Sequence, residues 1–433
     1  MNFHFCERLS DIGGSWPLPS PISSVTTKEL KVCLHRAISA LSDALDLVGV
    51  DDVFHGKRVA FMAVQFGYRL GLEPERLTIL FDLGLLHDCG VSSSLVHQQL
   101  INNFDWRESQ EHCEIGYERL KKFTPLAHLS EPIRYHHTRW EELRTLALEP
   151  DLAQSANLIF LADRIDALAI PHYGDTILPQ IDRIRTQIAA WSGDFFDPRL
   201  VEAFLSAADS QAFWLAMEPR HLAHFIQESG EDREPASLTF AELKDLARIF
   251  AAIIDAKSSY TAEHSLGVAR LAGYLAARYG YPEEICDKIE AAALLHDLGK
   301  LRVPDEILDK ASPLTPEDLT RIQQHSFDTY EVLRQIPGIE DIAFWAAFHH
   351  ENLTGTGYPF HARADQICME ARIISVADIF QALAQNRPYR NALPLAEVLT
   401  RLEHFAGRGL IDDLLVSLVK RNPEDCYRKA LVA

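Results

Sequence analysis

IEAAALLHDLGKL, residues 289–301, sets an apolar run at helical spacing in front of a His-Asp pair, His296 and Asp297, and closes on a glycine and a lysine. GLLHDCG at 84–90 carries the same pair as His87 and Asp88. Working outward from each, the chain repeats itself. FHGKRVAFMA around His55 parallels EHSLGVARLA around His264, and QEHCEIGYERL at His112 parallels QQHSFDTYEVL at His325. IRYHHTRW, with His136 and His137, answers AAFHHENL, with His349 and His350, and LADRIDAL with Asp163 answers VADIFQAL with Asp378. The intervals 55–87 and 264–296 are both 32, and 112–136 and 325–349 are both 24, whereas the remaining intervals differ as 25 against 29 and 26 against 28. Insertions that fall only between helices mark two copies of one structural unit.

The texture of both copies is helical. Leu30 to Val48 and LKDLARIFAAIIDA from Leu243 recur at helical spacing, and Val268, Leu271, Ala272 and Leu275 share a face with His264 before Gly280 offers a stop. Thr315, Pro316 and Asp318 read as an N-cap, a first-turn proline and a capping carboxylate. The fold class expected is all-α, two tandem helical bundles. They span 28–214 and 240–433, with a loose tail over 1–27, rich in Gly, Pro and Ser at 13–21, and a polar linker over 215–239.

Composition narrows the chemistry. The 433 residues carry a net charge of −20, which disfavours nucleic-acid polymers and anionic membrane surfaces as partners, so an anionic ligand must be met locally. Seven scattered cysteines without a CxxC pair indicate neither a zinc ribbon nor a disulfide scaffold. No apolar run is long enough for a membrane span and the start carries no signal-like stretch, so a cytoplasmic protein is expected.

The 19 histidines need an explanation in so acidic a chain, and the repeat supplies one. Each copy orders five His and two Asp as H…HD…H…HH…D, which accounts for ten of them. Two imidazole-rich half-sites that share a carboxylate suit a pair of divalent transition metals such as iron or manganese. The candidate set is His264, His296, Asp297, His325, His349, His350 and Asp378 in the C-terminal copy. In the N-terminal copy it is His55, His87, Asp88, His112, His136, His137 and Asp163, where metal occupancy stays open.

Residues 240–420 resemble an HD-GYP domain, the phosphodiesterase branch of the HD superfamily that degrades bacterial cyclic dinucleotides. The matching stretches are SYTAEHS at 259–265, LLHDLGKLRVPDEIL at 294–308, LTPEDL, HHENLTGTGYP at 349–359, ARIISVADIFQAL at 371–383 and RPYR at 387–390. Residues 28–214 resemble the HD core without the GYP segment. The resemblance implies one metal on His264, His296, Asp297 and Asp378, a second on Asp297, His325, His349 and His350, and Asp297 as the bridge. It implies catalytic roles for Asp297 and Lys300, the latter one turn beyond Asp297 and able to face the same site. It further implies substrate contacts from Lys300, Gly357, Tyr358, Arg387 and Arg390, while Arg372 reads equally as an ion-pair residue or a substrate contact.

Some positions depart from the family pattern. Thr354 stands where Asp is usual, Tyr260 replaces a Glu that supports a third metal in some members, and Val91 stands in the N-terminal copy where Lys300 stands in the other. Asp51, four residues before His55, leaves an extra N-terminal metal conceivable. The expected activity is hydrolysis of cyclic di-GMP to the linear dinucleotide and onward to GMP, with 3′,3′-cyclic GMP-AMP as the alternative substrate. A non-catalytic cyclic-dinucleotide sensor, or a docking protein for a diguanylate cyclase or other signalling protein, is the competing reading. A homodimer stays open. The N-terminal copy is expected to be regulatory or structural.

Overall fold

A computed structural model of the chain describes residues 32–49, 54–106, 108–174, 176–231, 237–258, 263–386 and 390–431. The 1–27 tail, Asp51, Tyr260 and Arg387 lie outside them. Helices dominate, and the two copies use them in the same order. In the first, Leu34–Asp46, His55–Arg69, Pro74–Leu86, Ser109–Leu120, Ala127–Arg134 and Pro150–Ala169 surround the His and Asp set. In the second, Phe240–Asp255, His264–Tyr279, Glu283–Leu295, Pro316–Leu333, Glu340–Ala347 and Met369–Ala384 do the same.

Local signals place the helix ends. Thr239 and Glu242 form a capping box at the start of the second unit, Thr315 and Asp318 form another ahead of Pro316, and Gly280 ends its helix at φ +108°. Aromatic side chains fill each interior. Phe66, Phe160, Phe196, Phe204 and Trp214 are fully buried in the first unit, and Phe250, Phe348 and Phe380 in the second. Each such ring contributes roughly 1.5–3 kcal/mol by leaving water.

The stretch read as a linker is not an extended connector. It contains the helix Pro219–Glu231, whose Leu222 is fully buried and whose Phe225 ring meets Phe61 edge-on at 5.0 Å and lies 6.1 Å from Phe81. Apolar residues three or four apart give that segment one face, and the first unit covers it.

The two units dock with approximate two-fold character. Val32–Cys33 pairs antiparallel with Ser237–Leu238, each two-residue strand standing just ahead of the first helix of its unit. The Leu34–Asp46 helix and the turn Leu47–Gly49 pack on the Leu298–Arg302 turn of the second unit. Reciprocally, Ser92, in the segment that follows Asp88, donates to Ala256 O just after the Phe240–Asp255 helix, and Arg119 donates to Ala252 O within it.

Candidate metal centre

His264 opens its helix behind Glu263, whose φ of 63° lies in the left-handed region. Asp255 holds that entry by accepting Ser265 N at 3.1 Å and Ser265 Oγ at 2.7 Å, and burial pushes its carboxyl up to about 6. His296 and Asp297 end the Glu283–Leu295 helix, and the next turn carries Lys300. Gly299 is required there, because a Cβ would sit 2.2 Å from His325 O. His325 projects from mid-helix, His349 and His350 follow Glu340–Ala347, and Asp378 lies within Met369–Ala384.

These side chains converge with one carboxylate between two groups. Asp297 Oδ2 is 3.3 Å from His296 Nε2 and 3.6 Å from His264 Nε2, and Asp378 Oδ1 is 3.4 Å from the latter. Asp297 Oδ1 faces the other way, 3.4 Å from His325 Nε2 and 3.7 Å from His349 Nε2. His325, His349 and His350 form a cluster of metal-ligating geometry, as do His264, His296 and Asp378.

The outer ring nitrogens are already committed. His296 Nδ1 donates to Ala293 O at 2.7 Å, His325 Nδ1 to Ile322 O at 2.5 Å, His349 Nδ1 to Ala346 O at 2.6 Å and His264 Nδ1 to Gln381 Oε1 at 2.5 Å. Such bonds fix the tautomer and turn the Nε2 lone pairs inward. Burial pushes His325 down to about 3 and His350 to about 4, and holds His349 well below the usual imidazole range. Asp297 stays ionised against its own burial because His296 and Lys300 lie beside it. Asp297 in turn raises His296 against its burial, so that His must give up a proton when it ligates; neutral imidazoles and anionic carboxylates are the ligand forms. His264 Nε2, His296 Nε2 and Asp297 Oδ1 are buried without a hydrogen-bond partner among the described residues. Orphaned acceptors of this kind aimed at one point fit a divalent metal pair.

A cavity of about 470 Å³ opens over the centre, lined among others by Asp297, Lys300, His350, Tyr358, Asp378 and Arg390. Lys300 Nζ lies 2.6 Å from Asp297 Oδ2, and the Tyr358 ring sits 4.8 Å from that of His350. Three residues named from the sequence make contacts of their own. Gly357 is buried and does not line the cavity; a Cβ would meet Glu351 Cα and His350 O, both at 2.6 Å, so its role is close backbone packing. Arg390 borders the cavity but donates to Leu383 O at 3.0 Å and Ala382 O at 2.6 Å, closing the end of the Asp378 helix. Arg372 pairs with Asp412 at 2.8 Å and donates to Ile367 O, a structural role. Thr354 is exposed and bonded to Asn352 and Thr356 within its own turn.

The N-terminal set assembles likewise. Asp88 Oδ2 is 3.5 Å from His87 Nε2 and Oδ1 is 3.5 Å from His112 Nε2, with His136 3.2 Å from His112 and Asp163 3.5 Å from His55. His137 Nε2 lies 3.6 Å from Asp163. The surroundings differ. Arg164 grips Asp163 at 2.8 Å where Ile379 follows Asp378, and Asp166 bonds His55 Nδ1 at 2.8 Å where Gln381 serves His264. Burial alone would lower the pKa of His55, but the bond and charge of Asp166 lift it to about 10. Two cavities of only about 10 Å³ each touch this centre, one of them bounded by Val91. That is roughly room for one water.

Sequence reasoning missed Asp255 and Gln381. The repeat held the signal for both. Asp46 and Asp255 each stand nine residues before the first His, and Asp166 and Gln381 each stand three after the last Asp.

The HD-domain family profile matches residues 53–168 and again 248–415. Over 410 residues the chain is 35% identical to the 3′3′-cGAMP-specific phosphodiesterase 1 of Vibrio cholerae serotype O1, covering 93% of this chain and 95% of that protein. The chain belongs to the HD-GYP family. Within that family it is 33% identical over 198 residues to a cyclic di-GMP phosphodiesterase of Thermotoga maritima, covering 44% of this chain and 54% of the relative. The fold matches the crystal structure of the V. cholerae cyclic GMP-AMP phosphodiesterase V-cGAP3 with a TM-score of 0.63 at 24% identity, over 91% of this chain and 98% of that one. As in an all-α HD protein, no described helix is long and apolar enough to cross a membrane.

Proposed function

We propose that the C-terminal domain, 240–433, hydrolyses a cyclic dinucleotide, with 3′,3′-cyclic GMP-AMP preferred over cyclic di-GMP. The observation that carries the hydrolytic reading is Asp297, which offers one oxygen to each of two ligand clusters at the floor of an open cavity. When bound there on His264, His296, Asp297 and Asp378, and on Asp297, His325, His349 and His350, a metal pair such as iron or manganese supplies Lewis acidity and acidifies water. The chain's own groups do the rest. Lys300, beside Asp297 and facing the cavity, places a positive charge where a non-bridging phosphate oxygen gains negative charge. Tyr358, its ring 4.8 Å from that of His350, offers a face to a base.

The substrate order reverses the sequence-based expectation. It is supported by the tandem arrangement, which the cGAMP-specific relative shares over 93% of this chain, while the cyclic di-GMP relative from T. maritima spans 44%. The N-terminal domain, 28–214, is read as non-catalytic, since Val91 replaces the lysine and the space beside its centre admits no nucleotide.

The test is competition. Metal-reconstituted protein under anaerobic conditions receives both cyclic dinucleotides together, and linear products are separated by chromatography. A kcat/KM at least about tenfold higher for 3′,3′-cyclic GMP-AMP is expected, equivalent to about 1.4 kcal/mol of differential transition-state binding. Preference for cyclic di-GMP overturns the substrate order, and intact substrates with two metals bound overturn the hydrolytic reading.

A further inference from the structure

A polar cluster crosses from the N-terminal unit to two walls of the catalytic cavity. Lys257 lines the cavity on the segment leading toward His264; its Nζ donates to Ser94 Oγ at 2.8 Å and pairs with Asp305 Oδ1 at 3.0 Å. Asp305 opens the short helix Asp305–Leu308, whose Ile307 and Leu308 line the cavity's other wall. Its second oxygen accepts Ser93 Oγ at 2.7 Å. Thus a Lys–Asp pair ties the two walls together, and each partner's further bond goes to a serine of the other domain.

The Lys257 side chain is 1% exposed and that of Asp305 13%, and a buried ammonium persists only where its donors are satisfied. Ser93 bonds Asp305 and Ser94 accepts from the ammonium. They stand five and six residues beyond Asp88; at the same distance from Asp297 the catalytic copy has Arg302 and Val303, so the serines are particular to the N-terminal copy. The same segment is anchored again nearby, where Arg119 donates to Cys89 O and to Ala252 O of the Phe240–Asp255 helix.

We propose that Ser93 and Ser94 are positioning residues for the catalytic cavity: through the Lys257–Asp305 pair the N-terminal domain fixes the spacing of the cavity walls and so sets substrate affinity. This rests on the reading of that cavity as the cyclic-dinucleotide site. The chemistry at Asp297 and Lys300 is untouched by it.

The experiment uses the full chain loaded with metal. Ser94→Ala is preferred to a change at Ser93, because Ser93 also caps its helix through Val96 N at 3.3 Å. Loss of one bond to a buried charge should raise KM for 3′,3′-cyclic GMP-AMP about tenfold and leave kcat within about twofold, with metal content unchanged. Ser94→Thr keeps the hydroxyl and should restore KM. Lys257→Met should raise KM as well, and Ser94→Ala added to it should cost nothing more, since both changes remove one interaction. Hydrogen exchange provides the independent arm: amides of 252–258 and 305–308 should exchange faster in Ser94→Ala than in wild type. An unchanged KM, or a kcat loss with KM unchanged, overturns the proposal. If wild type turns over no cyclic dinucleotide, the functional reading fails. The exchange arm then decides the wall contact alone, equal protection in both proteins overturning it.

Discussion

Lys300→Met tests the catalytic reading most directly. The Lys300 side chain is 19% exposed, its Nζ lies 2.6 Å from Asp297 Oδ2, and it faces the cavity. Methionine keeps a stem of similar length and deletes only the charge. A unit charge about 4 Å from a phosphate oxygen is worth about 4 kcal/mol at an effective dielectric of 20. Part of that attraction already exists for the bound diester, so only the charge added in the transition state counts, about half to three quarters, or 2–3 kcal/mol. The expected loss is therefore roughly 30- to 160-fold in kcat. Removing one partner of the Lys300–Asp297 pair leaves the buried carboxylate unpaired, so the melting temperature of metal-free protein should fall, and activity is compared on metal-loaded protein, where the bound cations would face Asp297. The assay is steady-state turnover with chromatographic detection of the linear product, with metal content and thermal melts on the same preparation. A kcat within about threefold of wild type refutes the assignment of Lys300, and so does a loss of activity that tracks loss of metal.

Other outcomes follow from the same geometry. Gln381→Leu removes the acceptor that orients His264 and should weaken metal retention about 10- to 100-fold, read by competition with a chelator; unchanged retention would show that the 2.5 Å bond is incidental. Val91→Lys placed in an Asp297→Asn background should restore no turnover, because the space beside the N-terminal centre is about 10 Å³; any recovered activity would mean that centre opens. Acidification from pH 7 to 4 should lower the melting temperature of metal-free protein. His112 and His350 are pushed down to about 4 and His325 to about 3, chiefly by burial, so below the unfolded value near 6.5 the unfolded chain binds protons the folded one refuses. Asp46 and Asp255, raised by burial to about 7 and about 6, act in the opposite direction, as do Asp328 and Glu351, raised by burial, and His55 and His296, raised against burial by neighbouring carboxylates; the depressed imidazoles, which also include His136, His137 and His349, act together with Asp88, Asp166, Asp297 and Asp378, whose carboxyls are held below their usual range, and set the net direction. A melting temperature that rises on acidification would contradict this balance.

Much of the centre was legible before any coordinates. His296 with Asp297 and His349 with His350 are adjacent in sequence, and the chain repeats the whole order, so a local record identifies the set that meets in space. For Arg390 and Gly357 the motif names a residue but not the bonds it makes: Arg390 donates to backbone carbonyls beside the cavity, and Gly357 packs closely on backbone. The Pro219–Glu231 helix escaped because its polar composition hid one apolar face that only a neighbouring unit reveals.

By itself the sequence determined the helical class, the duplication and the two sets of His and Asp that meet in space, because helix periodicity and paired side chains are short-range properties of the chain. The tertiary structure decided how much space each set borders. Near-identical ligand orders end in a cavity of about 470 Å³ in one unit and about 10 Å³ spaces in the other. It also brought Ser93 and Ser94 of one domain into bonding distance of the Lys257–Asp305 pair of the next, across more than 160 residues of chain. Cavity volume and cross-domain bonds depend on how distant segments pack against one another, and no local pattern records that.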